Sequence, residues 1–252
     1  MTRPAPARGS YRVARVLGID IRLHWTFLVL VAVIVWAGRG VGAAAAGVAW
    51  LAVVFGSVLL HELAHCVVAR RRGARVDDVL LTPIGGISRL HDLPERPQDE
   101  LAVAIVGPLT SAVLAAAALG AGAAAGADVW PPTLLGGSWP ARVGWFNALL
   151  AAFNLLPALP MDGGRVLRAA LARRHDRATA TRIAADVARV LAVAMIVAGL
   201  VVDIWLVLIG AFVYLGAAAE EEQARRGGPP PGTGTTPAGG PPGGGATHGR
   251  SP

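Results

Sequence analysis

The chain has 252 residues, of which 54% are hydrophobic and only 15% charged, with a mean hydropathy of +0.54; this composition excludes a soluble globular enzyme and points to a membrane. The net charge of +7 and a pI near 11.2 come from arginine alone, but the arginines flank apolar segments instead of sharing a face with aromatics, which argues against a nucleic-acid surface. A single cysteine, Cys66, excludes a disulfide framework within the chain.

Residues 1–18 read as a basic cytoplasmic segment. Six apolar segments follow, at 19–38, 45–69, 101–126, 143–160, 183–202 and 204–219, each near the roughly 20 residues that a helix needs to cross a bilayer. The expected fold is an all-α polytopic membrane protein of about six transmembrane helices, with a core over 19–219. Only Asp203 separates the last two segments, which suits a tight or tilted hairpin. A secretory signal at the N-terminus is disfavoured by the length of its basic region. Arginines cluster before the first segment and after the second, fourth and sixth, against Arg39 and Arg142 on the other side and Arg189 near a helix start. That asymmetry predicts a multi-pass protein of the cell membrane with both termini in the cytoplasm. Trp130, Trp139 and Trp145 fit an aromatic belt at the far interface, and Gly122 and Gly126 would let a neighbouring helix approach closely. Residues 220–252, largely Gly and Pro, carry too little apolar surface to offset the entropy of ordering and read as a disordered cytoplasmic tail.

The chemistry sits in the second segment, which ends GSVLLHELAHCVVARRR. His61 and His65 stand at i and i+4, on one helix face, with Glu62 beside them. Two imidazoles one turn apart can reach a single zinc ion, and the intervening Glu is placed to take a proton from a water that the ion activates. Ionisable groups inside a spanning helix are functional candidates by default. His61 lies nine residues before Arg70, about 14 Å along a helix, so the site should lie within the membrane near its cytoplasmic side. A catalytic zinc takes three protein ligands, and the third should come from another helix. The fourth segment ends NLLPALPMDGGR, where Pro157 and Pro160 interrupt the helix just before Asp162. Broken backbone at membrane depth is tolerated only inside protein or beside a water-filled cavity, and Gly163 and Gly164 allow a tight path to the ion, so Asp162 is the expected third ligand. A Pro/Gly turn with a solvated aspartate is the bland alternative. Cys66 points about 100° away from His65 and reads as a small buried apolar residue, and Asn147 as an interhelical hydrogen-bonding group.

These residues resemble the site-2 proteases, intramembrane zinc metalloproteases of the regulated-intramembrane-proteolysis type. The resemblance rests on His61-Glu62-Leu63-Ala64-His65 and on Asn154-Leu155-Leu156-Pro157 through Asp162-Gly163-Gly164, and covers roughly residues 16–219, including Gly18-Ile19-Asp20-Ile21, His24, Gly85-Gly86 and Gly107-Pro108. It implies one Zn2+ per chain held by His61, His65 and Asp162, and Glu62 as general base. It also implies single-spanning membrane protein substrates already shortened by another protease and cleaved near the cytoplasmic leaflet. The partners are then these substrates and the lipid bilayer, with a homo-oligomer open and no nucleic acid. Neither the PDZ nor the paired CBS domains found in many members are evident, so the chain looks like a minimal core of bacterial or archaeal type. Asn154 is a candidate to bind a substrate carbonyl or to satisfy backbone freed by Pro157. The stretch LLTPIGGISRL at 80–90, with Gly85 and Gly86 at its centre, reads as a short β-hairpin or re-entrant segment whose edge could receive an unwound substrate by strand addition, or as a surface turn. His24 could line the site or sit at the interface. A metal-ion transporter and a catalytically idle scaffold are the competing functions; the intact Glu62 argues against transport.

Overall fold

The computed structural model describes residues 9–38, 40–83, 85–91 and 96–225; Arg3, Arg8 and the tail beyond 225 lie outside them. The sequence before the first helix alternates Ile19, Ile21 and Leu23 with Asp20, Arg22 and His24, the two-residue period of a strand. Strands β1 (Ser10–Val16) and β2 (Ile19–His24) form there, joined by a turn at Leu17 and Gly18 with φ of 52° and 78°, the left-handed pair that favours a two-residue hairpin. The first expected span, 19–38, is therefore divided: only α1 (Thr26–Ala37), of 12 residues, is helical. A helix would have scattered Asp20 and Arg22 around its circumference at bilayer depth, whereas the strand sets both on one face, away from Ile19 and Ile21, which are 0% and 2% exposed.

Helix α2 (Val41–Arg71) is apolar along most of its 31 residues and ends on Arg70 and Arg71, which complement the negative end of its dipole. Gly73, with φ of 94°, stops it: the Ala74 amide donates back to the Ala69 carbonyl at 3.0 Å, and the chain turns into β3 (Arg75–Thr82) and β4 (Gly85–His91). The sheet order is β1-β2-β3-β4, with β2 and β3 parallel and the outer pairs antiparallel. Arg22 of β2 and Arg89 of β4 both approach the buried Asp78 of β3, the former at 3.7 Å, tying three strands together by charge.

Helices α3 (Pro97–Ala124), α4 (Trp139–Asn154), α5 (Asp162–Leu171), α6 (Arg177–Gly199) and α7 (Ile204–Arg225) complete the molecule. Among the described residues three helices are long and apolar enough to cross a membrane: α2, α3 and residues 204–222 of α7. α4 has 16 residues, and α6 carries Arg182, Asp186 and Arg189 within it. α7 continues through Arg225, so the first residues expected in the tail are helical. Of the two glycines expected to pack helices, Gly122 does so, with a Cβ there falling 2.7 Å from Pro140. Gly126, with φ of 73°, instead ends α3, letting the Ala127 amide reach the Gly122 carbonyl.

α2 lies between two layers. On one side Leu63 and Cys66 pack against Ile19 and Ile21 of β2 and Val79 and Leu81 of β3. On the other, α3 and α5 approach. α5 is held by its own surroundings: Ala158, Leu159 and Met161, which lead into it, are buried against Ala184, Ala188 and Ala192 of α6 and Val213 and Ala217 of α7, an alanine row that admits close helix approach. Its far end is fixed by charge, since Arg168 donates from Nε to Glu100 of α3 at 2.8 Å and from Nη1 to Glu220 of α7 at 3.0 Å. Removing Arg168 leaves the buried Glu100 with only the longer contact to Arg177 at 3.8 Å, and breaking a buried pair in this way costs up to about 3–5 kcal/mol. Arg168→Ala should accordingly lower the unfolding temperature in detergent, followed by thiol-dye labelling of Cys66, which is 0% exposed in the folded chain. A midpoint equal to wild type would show that the pair does not hold α5.

Candidate metal centre

Three polar atoms converge where α2 meets α3 and α5. His61 Nε2 lies 3.1 Å from His65 Nε2 and 3.1 Å from Asp162 Oδ2, and His65 Nε2 lies 3.2 Å from the same oxygen. All three residues are buried. Helical periodicity explains the imidazole pair. Asp162 arrives by another route: the chain breaks after Asn154, turns, and restarts as α5 with Asp162 in its first turn, where the helix dipole favours a carboxylate. Gly163 and Gly164 permit this because a Cβ at either would collide with the backbone of Leu155–Leu156 or Ala158–Leu159.

The chemistry of this donor set calls for a cation. The Nδ1 of His65 lies 2.6 Å from the Val103 carbonyl, and a carbonyl only accepts, so Nδ1 carries the proton and the neutral ring presents a lone pair at Nε2. His61 has the Ser111 hydroxyl 3.0 Å from its Nδ1, a group able to accept from an Nδ1–H, so the same tautomer is open to His61. With both rings in that tautomer, two lone pairs and a carboxylate oxygen face one another, and nothing among them donates. Tetrahedral zinc with bonds of roughly 2.0–2.1 Å would set its ligand atoms about 3.3–3.4 Å apart, close to the separations seen. A Cβ placed on Gly107 of α3 would fall 2.7 Å from His61 Nε2 and nearer still to His65 Nε2, so the missing side chain keeps the space between the imidazoles open. Among the described residues this is the one His/Cys/Asp/Glu cluster with the spacing of a metal site.

The other residues singled out by sequence lie elsewhere. Glu62, one position on, faces the sheet: the Ser88 hydroxyl donates to its Oε2 at 2.6 Å, and a Cβ on Gly86 would sit 2.5 Å from its Cγ. Gly85, with φ of 147°, opens β4. Asn154 closes α4 and donates from Nδ2 to Leu150 O at 2.9 Å, while the Phe153 carbonyl, deprived of its helical donor by Pro157, takes the Leu156 amide at 3.2 Å. His24 ends β2, where its Nδ1 stands 2.8 Å from Thr26 Oγ1 at the start of α1, outside the metal-type cluster. Asn147 makes the expected interhelical bond, to Ser57 of α2 at 3.0 Å. Sequence reading named Gly107 only as part of the family resemblance, with no role, and missed Val103 and Ser111, although the three stand at i, i+4 and i+8 and so form one face of α3. It also missed Ser88.

Residues 49–129 and 139–199 match the model of peptidase family M50. A zinc metalloprotease of Methanocaldococcus jannaschii is 35% identical over 212 residues, covering 82% of this chain and 59% of its own. Rip3 of Mycobacterium tuberculosis is 38% identical over 234 residues, covering 83% and 58%. The chain thus spans a little under three fifths of these relatives' length. The solved structure of a site-2 protease from Methanocaldococcus jannaschii superposes with a TM-score of 0.61 at 34% identity, over 84% of this chain and 95% of that one.

The open space at Gly107 yields a direct check. Gly107→Ala should abolish or sharply reduce divalent-metal content in the purified protein, measured by elemental analysis, while Gly120→Ala on the same helix, where a Cβ meets nothing within 4 Å, should leave it unchanged. Full metal content in Gly107→Ala would place the binding site elsewhere.

Proposed function

The chain belongs to peptidase family M50, and from that premise we propose that it is a zinc-dependent endopeptidase that hydrolyses peptide bonds of membrane proteins within the bilayer. The observation that carries the proposal is the convergence of His61 Nε2, His65 Nε2 and Asp162 Oδ2 within 3.1–3.2 Å in a buried space. We assign these three as the zinc ligands. Zinc bound there would supply a Lewis acid that acidifies water and polarises the scissile carbonyl.

The chain's own residues do the rest. Glu62 acts as general base: its carboxylate accepts a proton from the attacking water as the oxygen–carbon bond forms, and returns it to the amine as the carbon–nitrogen bond breaks. Val103 and Ser111 hold the imidazoles in the tautomer that leaves Nε2 unprotonated. The outer edge of β4, next to no other strand in the sheet, is the proposed dock for an extended substrate segment, with Gly85 and Gly86 at its start; a helical peptide bond is shielded and must be drawn out before attack. Asn154 spends one Nδ2 proton on Leu150 O and keeps the second for a substrate carbonyl.

Topology follows the arginines. Six membrane passes with both termini in the cytoplasm would place the site near the cytoplasmic leaflet, since Arg70 and Arg71 end α2 about 14 Å beyond His61. Suitable substrates are single-spanning proteins whose outer part another protease has removed, so that cleavage frees a cytoplasmic fragment.

The decisive comparison is among His61→Ala, Asp162→Ala and Glu62→Gln, each with a co-expressed single-spanning substrate. The first two should lose zinc and cleavage together. Glu62→Gln should keep about one zinc per chain yet lose cleavage by at least a hundred-fold, the range general-base catalysis supplies. Undiminished cleavage by Glu62→Gln would refute the base assignment, and a folded wild type that takes up no zinc would refute the protease.

A further inference from the structure

We propose that Ser88 is a positioning residue for the Glu62 base, so that strand β4 aims the group that activates water. The inference rests on the reading of Glu62 given above. Ser88 Oγ donates to Glu62 Oε2 at 2.6 Å, and Cys66 Sγ donates to Ser88 Oγ at 3.3 Å. The carboxylate settles the direction of the hydroxyl: an ionised carboxylate only accepts, so Ser88 gives its proton to Glu62 and its Oγ accepts from the Cys66 thiol. Gly86 lies two residues before Ser88 and therefore on the same face of β4. Its missing side chain lets the strand come close, since a Cβ there would stand 2.5 Å from Glu62 Cγ.

A glutamate has three side-chain torsions and, if left free, samples many rotamers. Here one carboxylate oxygen is gripped while Oε1 has no hydrogen-bond partner among the described residues and is available to accept a proton. The grip comes from an edge strand, and Ile87 on the opposite face is 54% exposed. A segment that paired along that edge would bear on the same strand that fixes the base, coupling substrate docking to the readiness of Glu62. Among the described residues no other side chain holds this carboxylate, so the orientation of the base depends on a residue 26 positions away in sequence.

The test uses the full chain in detergent, loaded with zinc, and a fluorophore–quencher peptide with one Leu/Ala span interrupted by Asn-Pro. Ser88→Ala should lower kcat about ten- to hundred-fold, the effect of removing one hydrogen bond to a charged group, with KM and zinc content at wild-type values; Ser88→Thr, which keeps the hydroxyl, should restore most of the rate. Glu62→Asp withdraws the carboxylate from Ser88 by one methylene, so Ser88→Ala should cause no further loss in that background. An equal loss in both backgrounds, or a wild-type kcat in Ser88→Ala, overturns the proposal while leaving the protease intact. A wild-type rate in Glu62→Gln, included in the same series, overturns the base reading itself and this one with it. A measurement independent of activity reads the contact: Ser88→Cys should close a disulfide with Cys66, the chain's single native cysteine, on treatment with diamide, with loss of both free thiols. Two thiols that remain free would separate Ser88 from Cys66 and overturn the geometry on which the proposal stands.

Discussion

The structure depends on one unfavourable meeting: two imidazole lone pairs and a carboxylate oxygen, all buried, all within 3.2 Å of one another. Without a cation such an arrangement is repulsive, and burial deepens the penalty because little water remains to screen it. Everything around it serves to hold the three groups in place. The Val103 carbonyl and the Ser111 hydroxyl fix the rings from behind, Gly107 keeps the space between them clear, and the alanine row of α6 with Val213 and Ala217 of α7 clamps the segment that delivers Asp162. The Arg168 ion pairs then hold the far end of the same short helix. Packing throughout this half of the molecule is readable as a means of setting one carboxylate beside two histidines.

α2 divides the chemistry between its faces. Consecutive helical residues point about 100° apart, so His61 and His65 turn toward α3 and α5 while Glu62 and Cys66 turn toward the sheet. A single helix can thus present ligands to an ion on one face and, about 100° around, rest a carboxylate against an independent element. The sheet consequently belongs to the site as well as to the N-terminal fold. Its contact with α2 through Leu63, Cys66, Val79 and Leu81 sets the height of β4 against Glu62.

What the sequence made legible was whatever repeats at a structural period or breaks one. The two histidines could be placed on one face because the helical period is fixed, and Asp162 could be anticipated because Pro157 and Pro160 end a helix at membrane depth. The N-terminal sheet was harder to see. Arg12, Arg15 and Arg22 read equally well as topology charges and as the outward residues of strands, and β2 finds its parallel partner β3 only after α1 and α2 have intervened. The Val103 carbonyl was invisible in principle, since every residue has one. Ser111 and Gly107 were within reach, because their spacing from Val103 places them on one face, but a face of small residues signals helix packing before it signals a metal. Ser88 carried no signal at all: its meaning arises from a strand register that pairs Val79 with Ser88 and brings that strand across α2.

The irregular stretch between α4 and α5 shows how such a site is made compatible with a membrane. Backbone donors left without partners in hydrocarbon cost several kcal/mol each, and breaking a helix normally creates them. Here two of the seven residues at 155–161 are prolines, which have no donor to satisfy. Four of the five remaining donors bond locally: Leu155 to Ala151 O at 3.0 Å, Leu156 to Phe153 O at 3.2 Å, Ala158 to Leu156 O at 2.7 Å and Met161 to Ala158 O at 2.9 Å, after which the Gly164 amide reaches Met161 O as α5 begins. The break therefore leaves few backbone groups in need of water, and it yields something an unbroken helix could not, a fresh helix N-terminus inside the protein. Asp162 occupies that terminus, where the helix dipole favours its charged form. A continuous helix would have carried the aspartate past the histidines on a fixed face; the proline-broken one brings its carboxylate to them.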